Sequence, residues 1–387
     1  MAKTAFYVSK DYQKHCTGGG NHPYWNWSRI SVVFQLPKML GWHDSGKLAV
    51  REASYAPFEM IALIHSSQYI ETLQRLSQGQ DASGWAFGFG TGDCPIFQGV
   101  HEASSLIVGA TVDAMHQVVT NDEIKNAMTF LGGLHHAHPT RASGFCYYND
   151  PAIAIKKYRE KFNGKVLYLD TDCHHGDGVQ DIFYNDPNVL TISIHELSTF
   201  FFPGTGYINE TGTDEGEGFS VNIPVPPGTY DDAYYKAFQE LVPPIWRRFD
   251  PDIVFWQCGS DTHEDDPITH LQLTNNVYRK IAQDVNTLVK EGKSEGKLIA
   301  MGGGGYDPVA TAKAWSTVLA TIADIEIPST LPQTWIDYCQ QEHNISIFRS
   351  NWWDKKNENP DMKNRIDNVI DEIIEKVKEI VFPYFAL

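Results

Sequence analysis

Five short runs of apolar, β-branched and aromatic residues punctuate this chain: Ala127 to Leu131, Val166 to Leu169, Val189 to Ile194, Ile253 to Trp256 and Leu298 to Met301. Segments this short and this apolar read as strands buried on both faces. Helix-like stretches lie between them, among them Pro151 to Lys161, Tyr230 to Phe249 and Thr274 to Lys290. A β-α-β-α order needs crossover connections, which lay helices over both faces of a parallel sheet. The chain is therefore expected to be α/β, with a central, mainly parallel β-sheet flanked by helices.

In open α/β sheets ligands bind in the crevice beyond the carboxyl ends of the strands, so the residues just past each run matter most. The first leads into Gly132-Gly133-Leu134-His135-His136, and the second into Asp170-Thr171-Asp172-Cys173-His174-His175-Gly176-Asp177. The third leads to His195 and Phe200 to Gly206, the fourth to Gly259-Ser260-Asp261, the fifth to Gly302 to Tyr306. Five polar or glycine-rich loops at one sheet edge make one site.

With 387 residues, 42% hydrophobic content, no repeat and no long Ser/Gly linker, the chain is expected to form one domain spanning 1–387. Its formal charge of -17 disfavours nucleic acid and anionic membrane as partners and permits a cationic ligand, although simple solubility is the plainer account of it. The opening MAKTAFYVSKDYQKH has no apolar signal-like core, and no run reaches the roughly 18 apolar residues of a spanning helix, so a soluble, cytoplasmic protein is expected. Cys16, Cys94, Cys146, Cys173, Cys258 and Cys339 form no CxxC pair and read as reduced thiols.

Two further segments each carry two readings. Gly84 to Pro95, with Trp85, Phe87 and Phe89 among glycines, is a surface loop that either lines the mouth of a site or simply packs. Ile366, Val369, Ile370, Ile373, Val377, Ile380 and Val381 mark an amphipathic helix over about 361–382, whose apolar stripe docks on the chain's own core or on a second copy.

In Asp170-x-Asp172-x-His174 alternate residues of an extended segment share one side, so a carboxylate and an imidazole can converge on one ion while Cys173 faces away. Asp261, after another strand, can supply a third ligand and leave coordination positions open, as catalytic metal sites do. An acidic cluster is more often a solvated face. Directly after Val-Leu-Tyr-Leu, however, buried carboxylates are costly unless a metal or ionised partner compensates them. His135 and His136 can serve there as base, acid or electrostatic stabiliser, with Asp170 and Asp177 as carboxylates to orient them; packing is the plainer use of a His-His pair. Gly302 to Gly305 allow close backbone approach to a ligand, and Tyr306 can donate to a developing oxyanion. A phosphate loop is set aside because no Lys-Ser/Thr comes after the glycines.

Taken together, GGLHHAHPTRASGFCYYND, LYLDTDCHHGDGVQ, FFPGTG, QCGSD and GGGGY, spanning 132 to 306, resemble in content and order the motifs of the zinc-dependent histone deacetylase superfamily. The run Asp261-Thr262-His263 to Asp266-Pro267-Ile268-Thr269-His270-Leu271 is similar to the bacterial acetoin-utilisation (class I-like) deacetylases. The chain departs from the common pattern at Thr171 and Cys173, where larger aliphatic residues are usual, and in the acidic Glu264-Asp265-Asp266.

The resemblance implies an arginase/deacetylase-like fold with the motif-bearing region at 84–306, and a catalytic Zn²⁺, with Fe²⁺ the alternative, on Asp172, His174 and Asp261. It further implies His136 as proton shuttle paired with Asp177, His135 as electrostatic partner paired with Asp170, and Tyr306 polarising the amide carbonyl. Phe145 and Phe202 would flank a narrow lysine tunnel, with Gly144 beside it, Gly304 among the glycines at the ligand and Asp93 at the rim. The resemblance also implies a structural K⁺ near the backbone of 170–174, while a homo-oligomer is the alternative use of the C-terminal apolar stripe. The expected substrate is an acetylated lysine of a protein or peptide, with small acetylated amines such as polyamines as the alternative. A binuclear manganese ureohydrolase of the same fold needs a carboxylate two residues after the metal histidine, where this chain has Gly176.

Overall fold

The computed structural model describes residues 3–80, 82–355 and 360–387; the Cys16 side chain lies outside the described set. Its centre is an eight-stranded sheet of β1 (Lys3–Val8), β2 (Leu48–Glu52), β3 (Ile124–Thr129), β4 (Val166–Asp170), β5 (Val189–Glu196), β6 (Ser220–Val225), β7 (Ile253–Gln257) and β8 (Leu298–Met301). The order is β2-β1-β3-β8-β7-β4-β5-β6, and every neighbouring pair is parallel.

Alternate residues of a strand face opposite sides, and here both sides are core. Leu167, Leu169, Val254 and Trp256 enter one apolar cluster, while Val166, Tyr168, Ile253 and Phe255 enter the other. That is why the central strands carry unbroken apolar runs. Helices Val100–Thr120 and Asp150–Phe162 supply the second cluster; Asp231–Phe249, Asn275–Leu288 and Pro308–Ile322 supply the first.

Four of the five expected strands lie where the sequence places them. The other, expected at Ala127 to Leu131, runs from Ile124 to Thr129: polar Lys125 and Asn126 hide its start, and Phe130 and Leu131 are buried just beyond its end. Strands β1, β2 and β6 have no counterpart among the five. β2 and β6 are the two edges of the sheet, and β6 contains Pro224, which only an edge strand or bulge accommodates because it cannot donate to a ladder.

The C-terminal helix runs from Pro360 to Val381, one residue from the expected span at each end. It buries Ile366, Ile370, Ile374, Val377 and Val381 in the same cluster as β6 and the helix Asp231–Phe249. Each such side chain contributes roughly 1.5–3 kcal/mol when fully buried, so the stripe is covered by the chain's own core. No helix among the described residues is long and apolar enough to cross a membrane.

Candidate active site

Four central strands, β3, β8, β7 and β4, deliver the loops at their carboxyl ends to one place. The Asp172 side chain leaves β4 two residues past its end, and its two oxygens are separately engaged. Oδ2 accepts from Gln257 Nε2 (2.7 Å) and the Gly304 amide (2.9 Å), while Oδ1 accepts from the His174 amide (2.9 Å). Asp261, after β7, uses Oδ1 to accept the Cys173 amide (2.8 Å), which turns Oδ2 toward the His174 ring. His174 Nδ1 stands 2.9 Å from Asp261 Oδ2 and 3.2 Å from Asp172 Oδ1.

One atom from each of Asp172, His174 and Asp261 thus lies within 4.8 Å of the others, and all three residues are buried. Tetrahedral zinc ligands at roughly 2.0–2.1 Å from the ion stand about 3.4 Å apart, so a small opening of the cluster fits an ion. The electrostatics agree. Burial and the neighbouring Asp172 charge push the Asp261 carboxyl up to about 8, and a divalent cation between them removes that repulsion. Gly304 is needed because a Cβ there would stand 2.1 Å from Asp261 Oδ2 and 2.8 Å from Asp172 Oδ2. Gly176 stands where a binuclear site needs a carboxylate.

Beside this cluster stand two imidazole–carboxylate pairs. His135 Nδ1 is 2.7 Å from Asp170 Oδ2, and His136 Nδ1 is 2.7 Å from Asp177 Oδ1. An ionised carboxylate only accepts, so each Nδ1 carries the proton and each Nε2 is left for the site. Tyr168 Oη also donates to Asp170 Oδ2 (2.7 Å). Burial alone would lower the His135 ring, but Asp170, Asp172 and Asp177 outweigh it and raise it to about 9. For His136, burial and the adjacent His135 outweigh Asp177 and lower it to about 4.

Aromatic rings border the approach. The Phe202 ring lies edge-on to His136 at 4.9 Å, and Phe145 lies edge-on to Tyr306 at 5.6 Å. Gly144 turns the chain into Phe145 at φ +53°, and a Cβ on it would stand 2.3 Å from the His136 ring. Asp93 Oδ2 accepts the Gly144 amide (2.7 Å), which ties the loop 84–95 to this border. Within that loop Phe89 is buried and Trp85 is 73% exposed. The Tyr306 amide donates to Asp266 Oδ2 (2.8 Å), and Asp307 caps the next helix through Val309 and Ala310, fixing the tyrosine at a strand-to-helix turn. Burial and the nearby Asp261 and Asp172 hold its phenol well above the usual range, so it stays a donor.

All of the expected site residues therefore come together, and four others join them. Phe201, rather than Phe202, stacks flat on His174 (4.9 Å, 8°). Arg29, buried, donates to the carbonyls of Gly305 (2.5 Å) and Gly303 (3.1 Å) and so braces the glycine loop. Gln257 holds Asp172 as described, and His22 meets Phe145 edge-on at 4.6 Å. Arg29 lies in a helix that also carries Lys38, Ser28, Ser31 and Gln35, and nothing in that helix marks it for the site. Cys173 faces the core, away from the ligand atoms, with its thiol 3.7 Å from Glu196; it is one of five buried free cysteines among the described residues.

Known proteins share this arrangement of fold and motif. A family model described as the histone deacetylase domain matches residues 24–322. The chain is 38% identical over 357 residues to the acetoin utilization protein AcuC of Bacillus subtilis (strain 168), covering 92% of this chain and 90% of that one. It is 33% identical over 389 residues to AcuC of Staphylococcus xylosus, covering 100% and 99%. Among solved structures, an HDAC homolog from Aquifex aeolicus matches with a TM-score of 0.86 and 27% identity over 98% of this chain and 100% of that one. An HDAC homolog complexed with SAHA matches with the same score and coverage. With a family match over most of its length and relatives aligned nearly end to end, the chain belongs to the histone deacetylase family of deacetylating hydrolases, in its acetoin-utilisation branch.

Proposed function

We propose that this protein hydrolyses the side-chain amide of N-acetyl-lysine, releasing acetate, with one divalent ion held by Asp172, His174 and Asp261. The observation that carries the reading is the convergence of those three ligand atoms within 4.8 Å, directly beside two imidazoles that are each backed by a carboxylate. When bound, Zn²⁺ or Fe²⁺ supplies Lewis acidity, polarising the acyl carbonyl and acidifying a water.

The chain's own groups then have separate tasks. Asp177 holds the Nδ1–H of His136, so Nε2 presents its lone pair to the attacking water and takes its proton. Once protonated, the same ring gives that proton to the leaving amine nitrogen. Tyr306 donates its phenolic hydrogen to the oxyanion that forms on the acyl carbonyl. His135, held toward its charged form by Asp170, stabilises the same negative charge at longer range. Phe145 and Phe202 flank the lysine methylenes and exclude water, Gly144 leaves room for them, and Asp93 accepts backbone N–H bonds at the rim. The same reading treats 1–387 as one deacetylase domain, supported by a sheet whose strands come from residues 3 to 301 and a C-terminal helix packed against β6.

The test is acetate release by purified protein from an acetyl-lysine peptide and, in parallel, from an acetylated polyamine, with chelator and with Zn²⁺ restored. Chelator-sensitive release from the peptide supports the reading. Release from the polyamine alone reassigns the substrate to small amines, and silence from metal-loaded protein on both substrates overturns the hydrolytic reading.

A further inference from the structure

One histidine beside the site has no part in the chemistry above. His138 lies two residues beyond His136, and both rings meet the same carboxylate, Asp177. Facing them is the helix Asp177–Phe183, in which Asp177 and Asp181, four apart, share one face. A Cβ on Gly178 would stand 2.5 Å from the His135 carbonyl and 2.7 Å from the Ala137 carbonyl, and the Val179 amide donates to His135 O (3.2 Å). This close seating interleaves the two pairs. Asp177 Oδ1 meets His136 Nδ1 at 2.7 Å, Asp177 Oδ2 lies 3.3 Å from His138 Nε2, and His138 Nδ1 lies 3.3 Å from Asp181 Oδ2. Reciprocal hydrogen bonds between His138 and Arg141 hold the His138 backbone in a tight turn.

We propose that His138 is a positioning residue: a cation clamped between Asp177 and Asp181, which fixes the outer oxygen of Asp177 so that its inner oxygen stays on His136. The proposal rests on the reading of His136 as the proton-transferring group. Both His138 nitrogens face an acceptor-only carboxylate oxygen at 3.3 Å, an arrangement that a doubly protonated ring satisfies at both ends and a neutral ring at only one. Without the clamp, a carboxylate with a free oxygen can rotate, and the orientation of His136 is lost with it.

The surroundings favour the charged ring. The Asp177 and Asp181 carboxylates raise it to about 9, against burial and the positive Arg141 of its own turn. His65, the other titratable group facing it, is buried and held neutral, lowered to about 3 by its burial. The His138 side chain is 13% exposed and Asp181 is 56% exposed, so the outer end of the row reaches water along a cleft lined by Pro139, Lys156 and Arg159. A raised folded value means that the clamp is present through neutral pH and is released as pH rises through that value.

The test compares His138→Gln, His138→Lys and Asp181→Asn in the full chain, reading kcat and KM on an acetyl-lysine peptide across alkaline pH and the His138 ring by NMR titration. Loss of an orienting partner is expected to cost roughly 10-fold or more. His138→Gln should show this loss in kcat with KM unchanged. His138→Lys should recover most of it and hold its rate to higher pH than the natural chain. Asp181→Asn should lose rate at lower pH than the natural chain. Equal losses in the Gln and Lys variants, or none in the Gln variant, overturn the clamp. So does a His138 ring that titrates at or below the ordinary imidazole value of about 6.5. If the natural chain proves inactive, the deacetylase reading fails by itself, and the NMR titration still decides the clamp.

Discussion

His135 with Asp170 and His136 with Asp177 are the same pair built twice, with the same 2.7 Å contact, the same ring nitrogen and nearly complete burial. Their surroundings nonetheless drive them apart. His135 faces three carboxylates and is raised to about 9, whereas His136 has the charged His135 as its neighbour and is lowered to about 4. A cation on Asp172 and Asp261 would offset part of the pull on His135 and would lower His136 further, so the order of the two is preserved. The lesson is that a repeated motif can supply two functions when burial and neighbouring charge differ. The inner pair serves as fixed charge and the outer pair as the movable proton.

That division can be broken by experiment, beginning with the largest effect. His136→Ala should lower kcat by roughly 10²–10⁴-fold, the range for a general base, and His135→Ala clearly less; steady-state kinetics showing equal losses would erase the distinction. Tyr306→Phe should cost roughly 10²–10³ in kcat through loss of an oxyanion donor, and a full-rate variant would remove the phenol from the mechanism. Asp177→Asn should cost roughly 10–100-fold as a lost orienting partner and move the acid side of the pH profile to lower pH, whereas Asp170→Asn, which lets His135 become neutral and relieves its push on His136, should move it to higher pH. The smallest effect is the profile itself. His136 must be neutral to accept a proton and its value is lowered, so activity is present above that value and lost below it. The rate of kcat/KM should hold level as pH falls through about 6.5, the ordinary imidazole value, and decline only toward about 4. A half-maximal point at or above the ordinary value would assign the base elsewhere.

Most of the site was legible because its residues fall in contiguous stretches directly after apolar strands. Asp172, His174, Asp261 and Tyr306 each lie within five residues of a strand end, which brings them to one edge once the sheet is parallel. What stayed hidden depends on distant pairing. Arg29 reaches Gly305 across 276 positions, and nothing local to its helix announces that carbonyl. Phe201 and Phe202 are adjacent aromatics, and only the backbone of their loop decides which stacks on His174 and which covers His136. In the fold, the central strands declared themselves through burial on both faces. The edge strand β6 was masked by Asn222 and Pro224, and β2 by its alternation of exposed and covered residues.

One ion held by Asp172, His174 and Asp261 is central to the proposed chemistry, and the most direct measurement is the metal content per chain, read with acetate release, for the natural chain and for Asp261→Ala. Close to one Zn²⁺ or Fe²⁺ per active natural chain is expected, with both metal and activity lost together in the variant. Close to two metals per chain, or an Asp261→Ala variant that keeps its metal and its rate, would contradict it.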